Sequence, residues 1–263
     1  MYSPFEVAKS FIEIGHTKAK LSIGKLLILG FLAGLFISIT GVGATAAAVT
    51  IDNATVARIL SAAVFPGGLV MVIVAGAELF TGNSLMIIST LEKKITFIQM
   101  LKNWLFVYIG NFIGSLFVAL LVVYGHTASL YDGKLAESMV NIAAGKVNLT
   151  LSDAFIRAIL CNILVCVAVW VAAAAKNVSG KIVALYLPIF VFVLCGYEHC
   201  VANMYYIPVG IFASSEYGIA AESLNWGSFI LKNLIPVTLG NIVGGCFIGT
   251  TYWAAYLKNT DNK

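Results

Sequence analysis

Two short stretches of sequence decide the fold: AGAELFTGN at residues 75–83 and CGYEHCVAN at residues 195–203. Each has the pattern Gly-x-Glu followed by four residues and Asn, and each lies inside a long apolar run. Glycine weakens a helix, and an ionised carboxylate among apolar residues is costly unless it has a partner. The two stretches therefore predict helices that break at corresponding points, one in each half of the chain.

The composition around these stretches is typical of a membrane protein. Hydrophobic residues make up 60% of the 263 and charged residues only 11%, whereas a soluble domain has roughly a quarter charged. A transmembrane helix needs about 20 mostly apolar residues, and the chain has six such segments with short polar connections. The predicted fold is an all-α integral membrane domain of six transmembrane helices, with broken helices 2 and 5. The segments are 26–50, 59–91, 97–124, 153–175, 181–212 and 228–257.

Segments three and six share a second motif with identical internal spacing. Two matches in the same order indicate duplication of a three-helix unit, about 26–124 and 153–257. Because three is odd, the second copy enters the membrane from the opposite side, so the halves are inverted repeats. Paired breaks in such repeats indicate where a solute crosses. The matching residues are Lys102-Asn103 with Gly110-Asn111, and Lys232-Asn233 with Gly240-Asn241.

The polar residues of the breaks are Glu78 and Asn83 in the first and Glu198 and Asn203 in the second. A broken helix exposes backbone N–H and C=O groups that lipid cannot satisfy, so it must be packed in protein or line a wet cavity. We expect both carboxylates to be structural and to accept hydrogen bonds from loop or half-helix N–H groups. Direct handling of an ion or a proton by these carboxylates is the alternative.

The distribution of lysine predicts the orientation. Cytoplasmic loops retain Lys and Arg, and most lysines fall in the N-terminal arm, the second and fourth connections and the C-terminal end. We expect a multi-pass protein of the cell (plasma or inner) membrane with both termini cytoplasmic. It would have an N-terminal arm 1–25 lying as an interfacial helix on the membrane, a channel domain 26–257 and a tail 258–263. The net charge of +4 reflects this asymmetry and does not indicate a nucleic-acid partner.

Four parts of the chain resemble the formate/nitrite transporter family. Residues 75–83 and 196–204 resemble its two break signatures, 161–170 resembles its fourth helix, and 233–253 resembles its sixth. The similarity extends from about Ser3 to about Leu257. It implies a homopentamer in which each protomer has an aquaporin-like fold and its own pore. It also implies passage of small monovalent anions: formate, nitrite, hydrosulfide or short organic acids.

The resemblance also assigns positions along the pore. His199 would be the central pore histidine, near Thr81 and Asn162. Lys146 would be the basic residue of the outer funnel, and Asn241 would be a polar pore-side residue of the last helix. The residues that narrow the pore would be Phe65, Leu69, Leu79, Phe80, Val165 and Phe192.

These positions suggest a mechanism for a weak acid. A bare anion pays a large desolvation cost at an apolar constriction, whereas its neutral acid does not. In our hypothesis Lys146 attracts the anion, Thr81 and Asn162 replace part of its water shell, and it crosses after gaining a proton. Imidazole titrates near physiological pH, so the proton comes either from His199 or from water on a path that His199 tunes. The sequence leaves both sources open.

Other functions fit the sequence less well. A water or small neutral solute channel of aquaporin-like fold would carry Asn-Pro-Ala at its breaks, where this chain has Glu. A metal-dependent membrane enzyme needs several ligating side chains. The intramembrane candidates are too few for a usual catalytic metal site: Glu78, Glu198 and His199. The five cysteines lie in apolar runs without zinc-type spacing. We therefore expect a transporter, no enzyme activity and no metal or other cofactor; its partners would be a small anion, the proton and the lipid bilayer.

Overall fold

The computed structural model describes residues 1–258, and helices are the regular structure of that part of the chain. A short 3-10 turn, Thr127–Ser129, follows α5. Most of the expected tail, residues 259–263, lies outside the described residues. The helices are α1 (Pro4–Ala19), α2 (Ile23–Ala48), α3 (Ala54–Gly76), α4 (Gly82–Leu91), α5 (Phe97–Tyr124), α6 (Lys134–Val147), α7 (Leu151–Ala174), α8 (Val178–Leu194), α9 (Cys200–Glu216) and α10 (Trp226–Tyr256).

Six crossings account for most of these helices. Within residues 1–258, the helices α2, α3, α5, α7 and α10 are long and apolar enough to span a membrane, with mean hydropathies from 1.4 to 2.3. The helices α8 and α9 have 17 residues each, so together they make the fifth crossing. The second crossing is likewise divided between α3 and α4. The predicted all-α fold with two broken helices is confirmed.

Polar side chains cap the starts of the spans. The side chains of Ser22, Asn53, Thr150 and Asn177 accept hydrogen bonds from backbone N–H groups in the first turns of α2, α3, α7 and α8. Such caps satisfy N–H groups that have no partner within the helix. Because Asn53 caps it, α3 begins at Ala54, five residues before the apolar segment 59–91 predicted from the sequence.

Glycines bring equivalent helices together in the two halves. An added Cβ at Gly114 of α5 would collide with the backbone of Phe31 in α2, and one at the equivalent Gly244 of α10 would collide with the backbone of Ile159 in α7. Small residues let membrane helices approach until their backbones touch. The first and third crossings of each half therefore pack in the same way, as the inverted three-helix repeats require.

The helix α6 occupies a region that the sequence suggested to be a polar connection. It begins after Gly133, whose φ of 85° lies in the left-handed region. One face of α6 is buried against α9, which explains why this moderately apolar segment forms a helix. The buried residues of α6 are Leu135, Ala136, Met139, Val140, Ala143 and Val147.

The helix α1 packs with one face on the protein, and its position at the membrane surface stays a prediction. The ring of Phe11 in α1 stacks on the ring of Trp170 in α7, with centroids 5.3 Å apart. The Ser89 hydroxyl donates to the backbone oxygens of Phe11 and Ile12 at 2.9 Å. At Gly15 the helix approaches Ser89 so closely that an added Cβ would collide with its side chain. The ends of α4 and α7 thus cover the part of α1 around Phe11 and Gly15, whereas Phe5 stays exposed.

Candidate functional site

The two breaks begin at glycines with left-handed backbone conformations. The first helix of the pair α3 and α4 ends at Gly76, with φ of 86°, and the chain between α8 and α9 turns at Gly196, with φ of 68°. Side chains with a Cβ rarely adopt these angles. The chain then resumes a helix after Thr81 in the first break and after His199 in the second.

Asn111 braces the first break from α5. Its Oδ1 accepts the Phe80 N–H at 2.9 Å, and its Nδ2 donates to the carbonyl oxygens of Glu78 at 2.9 Å and Gly30 at 2.8 Å. These bonds satisfy backbone groups that the interrupted helix leaves unpaired. The sequence showed Asn111 as part of the repeat but did not indicate this role.

Asn241 does the same for the second break. Its Oδ1 accepts the Cys200 N–H at 2.9 Å, and its Nδ2 donates to the carbonyl oxygens of Glu198 at 3.0 Å and Ala158 at 2.8 Å. The resemblance implied a polar residue facing the pore. All the polar atoms of this amide are instead engaged by backbone groups, so the geometry favours a bracing role.

Asn162 is also enclosed by protein. Its Nδ2 donates to the carbonyl oxygens of Asn241 at 2.6 Å and Thr81 at 3.3 Å, and to the Ser84 hydroxyl at 3.2 Å. The residue is fully buried. It ties α7 to the first break and to α10, and its donors are not directed to a permeating ion. Its proposed contact with the anion remains a prediction that this geometry does not favour.

Glu78 forms an ion pair with a lysine from the N-terminal helix. Oε2 of Glu78 lies 2.9 Å from Nζ of Lys18 and accepts from Nδ2 of Asn83 at 2.7 Å. Lys18 also donates to Oδ1 of Asn83 at 2.7 Å, and Asn83 donates to Asn103 at 2.8 Å. The expected structural carboxylate is present, but its donors are side chains and not the half-helix N–H groups. Nothing local to the break indicated Lys18.

The second break repeats this network. Oε1 of Glu198 lies 2.8 Å from Nζ of Lys146, and its Oε2 accepts from Nδ2 of Asn203 at 2.7 Å. Asn203 also donates to Asn233 at 2.7 Å, and Asn233 donates to the Lys146 carbonyl oxygen at 3.0 Å. Lys146, expected as a funnel residue, is thus held against a carboxylate whose side chain is 5% exposed.

The breaks meet where Thr81 contacts His199. The Thr81 hydroxyl oxygen lies 2.8 Å from Nε2 of His199, and both residues are buried. The Ala202 N–H donates to Nδ1 of the ring at 3.1 Å. Because Nδ1 accepts, the proton of the neutral ring is on Nε2, and Thr81 accepts it. The threonine keeps its own hydroxyl hydrogen to donate elsewhere. The helices α4 and α9 start here, so their positive N-terminal ends face this point.

Apolar side chains surround His199 and form a narrow segment that we call the throat. It encloses a cavity of only about 10 Å³, lined by Ile37, Phe65, Leu69, Leu79, Val165, Ile189, Phe192 and His199. The rings of Phe65 and Phe192 pack edge to face with centroids 5.6 Å apart. Five of the six residues that the resemblance assigned to the constriction are present here, and Ile37 and Ile189 join them.

Phe80 does not line the throat cavity. Its ring packs edge to face on Tyr108 and Trp104, with centroid distances of 4.9 Å and 6.0 Å. Successive side chains of a non-helical segment point in different directions, so Leu79 can face the throat while Phe80 faces α5. The assignment of Phe80 to the constriction is therefore not supported by the geometry.

A cavity lies on each side of the throat. The cavity on the side of α1, the α1-side vestibule, has about 190 Å³ and shares Leu69 and Leu79 with the throat. Its other lining is largely apolar, with Lys18 and Lys181 as cations. The cavity on the side of α6, the α6-side vestibule, has about 280 Å³ and shares Phe65, Phe192 and His199 with the throat. The arrangement is two vestibules separated by a short apolar barrier.

Comparison with known proteins agrees with this geometry. The sequence model of the family described as "Formate/nitrite transporter" matches residues 5–254. A "Probable formate transporter" of Methanothermobacter thermautotrophicus is 40% identical over 97% of this chain and 97% of its own length. The "Formate channel FocA" of Escherichia coli (strain K12) is 37% identical over 98% of this chain and 96% of its own.

Solved structures give the same result. A "Pentameric formate channel with formate bound" superposes with a TM-score of 0.80 at 34% identity, covering 90% of this chain and 98% of its own. An "FNT family ion channel" superposes with a TM-score of 0.86 at 28% identity, covering 95% of this chain and 98% of its own. The similarity covers the whole membrane domain, both breaks included, and on this basis the chain belongs to the formate/nitrite transporter family.

Proposed function

We propose that this protein is a channel through which a small monovalent weak-acid anion, formate in the first instance, crosses the cell membrane together with a proton. The observation that carries the proposal is the contact between Thr81 and His199 at 2.8 Å, at an apolar throat between two vestibules that contain cations. Formate is the first candidate because similar proteins are named as formate channels. Nitrite and hydrosulfide share its charge and small size.

The throat favours passage of a neutral species. A cavity of about 10 Å³ has room for roughly one water molecule, so an anion must lose most of its hydration to enter. The apolar rings there offer no replacement for the lost water, and an uncompensated charge in such surroundings is very costly. A weak acid avoids most of this cost if the anion takes a proton before it enters the throat.

The hydrogen bonds of His199 favour water as the source of that proton. A charged imidazolium needs a hydrogen on Nδ1, and this hydrogen would face the Ala202 N–H that now donates to the same atom. A neutral ring that gave up its remaining proton would become an anion in an apolar site. His199 then acts as a neutral donor that orients Thr81. The N-terminal ends of α4 and α9 attract the anion, and a water of the vestibule gives it a proton and returns to the bulk as hydroxide, which equals one proton taken from the bulk per anion.

The assembly and orientation belong to the same proposal. The outer face of α5 carries large apolar side chains that need lipid or another protomer to cover them. A homopentamer with one pore per protomer is consistent with the similar solved channel that is named as pentameric. The lysine distribution favours cytoplasmic termini, so the α6-side vestibule would open outward. The exposed residues of α5 include Leu105, Ile109, Ile113, Phe117, Leu120 and Leu121.

Anion flux into proteoliposomes tests the proposal. The full chain is reconstituted, and uptake of formate, nitrite, hydrosulfide and lactate is compared at several pH values with protein-free liposomes as the control. We expect formate uptake that increases as the pH falls, because more of the anion is then protonated. Glycerol swelling in the same vesicles tests the neutral-solute alternative. Flux of none of the four anions, or swelling with glycerol instead, would overturn the proposal.

A further inference from the structure

The α6-side vestibule contains three cations and one carboxylate. Its lining includes Arg58 from α3, Lys146 at the end of α6, Arg157 from α7, and Glu198 in the second break. Lys146 and Glu198 are 2.8 Å apart and largely buried, so the pair has no net charge and its field weakens with distance faster than that of a lone cation. The net positive charge of this vestibule therefore comes from the two arginines.

The arginines are not used by the fold as ion-pair partners. Within residues 1–258, neither Arg58 nor Arg157 forms a salt bridge or a side-chain hydrogen bond, and both are exposed. Arg58 nevertheless extends to the break, since its Nη1 lies 3.8 Å from the Cβ position of Gly196. Both guanidinium groups line the cavity that His199 also lines. Two unpaired cations are thus present at the mouth of the throat.

The internal repeat indicates that the backbone hydrogen bond made at position 157 does not depend on an arginine side chain. The N–H of Glu198 donates to the carbonyl oxygen of Arg157, and the N–H of Glu78 donates to that of Leu29. Asn241 and Asn111 likewise bond the carbonyl oxygens of the following residues, Ala158 and Gly30. Arg157 and Leu29 therefore occupy equivalent positions in the two halves. The same backbone role is filled by leucine on one side and by arginine on the other.

Guanidinium chemistry indicates which ligand two such arginines suit. Arg presents parallel N–H groups that match the two oxygens of a planar oxyanion, whereas a single-atom anion can use only one point of contact. We propose that Arg58 and Arg157 form a capture site in the α6-side vestibule for planar oxyanions, the carboxylate or nitrite class, ahead of hydrosulfide. This inference rests on the proposed function, because it concerns the mouth of the same pathway.

Competition by ions that cannot become neutral acids tests the capture site. Formate flux of the full chain is measured in proteoliposomes at low ionic strength with added nitrate, which is planar, or chloride, which is spherical. We expect nitrate to inhibit at a several-fold lower concentration than chloride. Arg58→Gln and Arg157→Leu should each lower the uninhibited flux about 5- to 10-fold, within the range of electrostatic enhancement, and should abolish the advantage of nitrate. The loss of flux should shrink near 1 M salt, where the Debye length is about 3 Å.

Two further variants separate geometry from general charge. Arg157→Lys keeps the charge without the planar guanidinium group. Nitrate should then inhibit formate flux no better than chloride does, while the flux should still depend on ionic strength as in the wild type. Lys134→Gln removes an exposed cation on the same side that lies in a different surface depression, and it should change neither property. The inference would be overturned if nitrate and chloride inhibited the wild type equally, or if nitrate remained the better inhibitor in all three arginine variants. It would also be overturned if Lys134→Gln lowered the flux as much as the arginine variants do. Absence of any anion flux in the wild type would instead remove the proposed function, and the capture site with it.

Discussion

Nζ of Lys18 lies 2.9 Å from Oε2 of Glu78, and this pair has a counterpart in Lys146 and Glu198 at 2.8 Å. In both cases the carboxylate belongs to a break and the lysine comes from a helix outside the six crossings, α1 or α6. The carboxylate of each break is therefore neutralised by a lysine from a helix on its own side of the domain. A buried carboxylate that lost this partner would be left uncompensated.

Replacing Lys18 by Met should destabilise the protein. The variant keeps an apolar stem of similar length but leaves Glu78 without its counter-charge. The Lys18 side chain is 25% exposed, so we expect a cost of about 1–3 kcal/mol, less than for a fully buried pair. The measurement is the melting temperature of the purified protein in detergent, which should fall.

Two other variants isolate the ion pair. Lys20→Met removes an exposed lysine near the end of the same helix and should leave the melting temperature unchanged. Lys18→Met combined with Glu78→Gln removes both charges and should recover most of the loss, because no uncompensated charge remains. If the double variant melted as low as Lys18→Met, the cost would come from packing and the ion-pair account would be incorrect.

The breaks were predictable because their determinants are local. A glycine, a carboxylate and an asparagine fall within eight residues of one another, and the same spacing recurs in both halves. Lys18 was not predictable, since it lies 60 residues from Glu78 and has only the features of a surface lysine. The helix α6 was missed for a similar reason, because its apolar face depends on α9 for burial. The assignment of Phe80 to the constriction stays a prediction that its ring contacts with Trp104 and Tyr108 do not favour, because sequence position does not fix the direction of a side chain within a break.

Gly244→Ala should destabilise the packing of α10 on α7. The added Cβ would overlap the backbone carbonyl of Ile159, which cannot move as a side chain can. Overpacking of this kind typically costs about 1–3 kcal/mol, and it should appear as a lower melting temperature. Gly24→Ala is the matched control, since an added Cβ at Gly24 meets no atom within 4 Å. Equal melting temperatures for the wild type and Gly244→Ala would contradict the close approach of the two helices.

Widening the throat should admit larger anions. Leu79→Ala removes a side chain that lines the cavity of about 10 Å³, so lactate uptake should increase several-fold relative to formate uptake. Phe80→Ala removes a larger side chain from the next position, where the ring packs on Tyr108, and it should leave the ratio unchanged. The ratio of lactate to formate flux in proteoliposomes is the measurement. A larger change for Phe80→Ala than for Leu79→Ala would return Phe80 to the constriction.

Thr81→Val should lower the rate of formate permeation without altering the fold. Valine has nearly the shape of threonine but cannot accept the Nε2 hydrogen of His199 or donate to an anion. Loss of one such hydrogen bond is worth about 1–3 kcal/mol, so formate flux should fall by about tenfold or more. The Thr238 hydroxyl lies 2.9 Å from the Tyr108 hydroxyl and does not line the throat cavity. Thr238→Val should therefore retain wild-type flux. Unchanged flux in Thr81→Val would mean that its contact with His199 has no part in permeation.

In the proposed mechanism the anion crosses the apolar throat as a neutral acid. The most direct measurement records formate uptake and proton uptake at the same time in proteoliposomes that contain the full chain. We expect one proton to be taken up per formate, with no net current and no dependence on membrane potential. Formate uptake that carries current and leaves the external pH unchanged would contradict it.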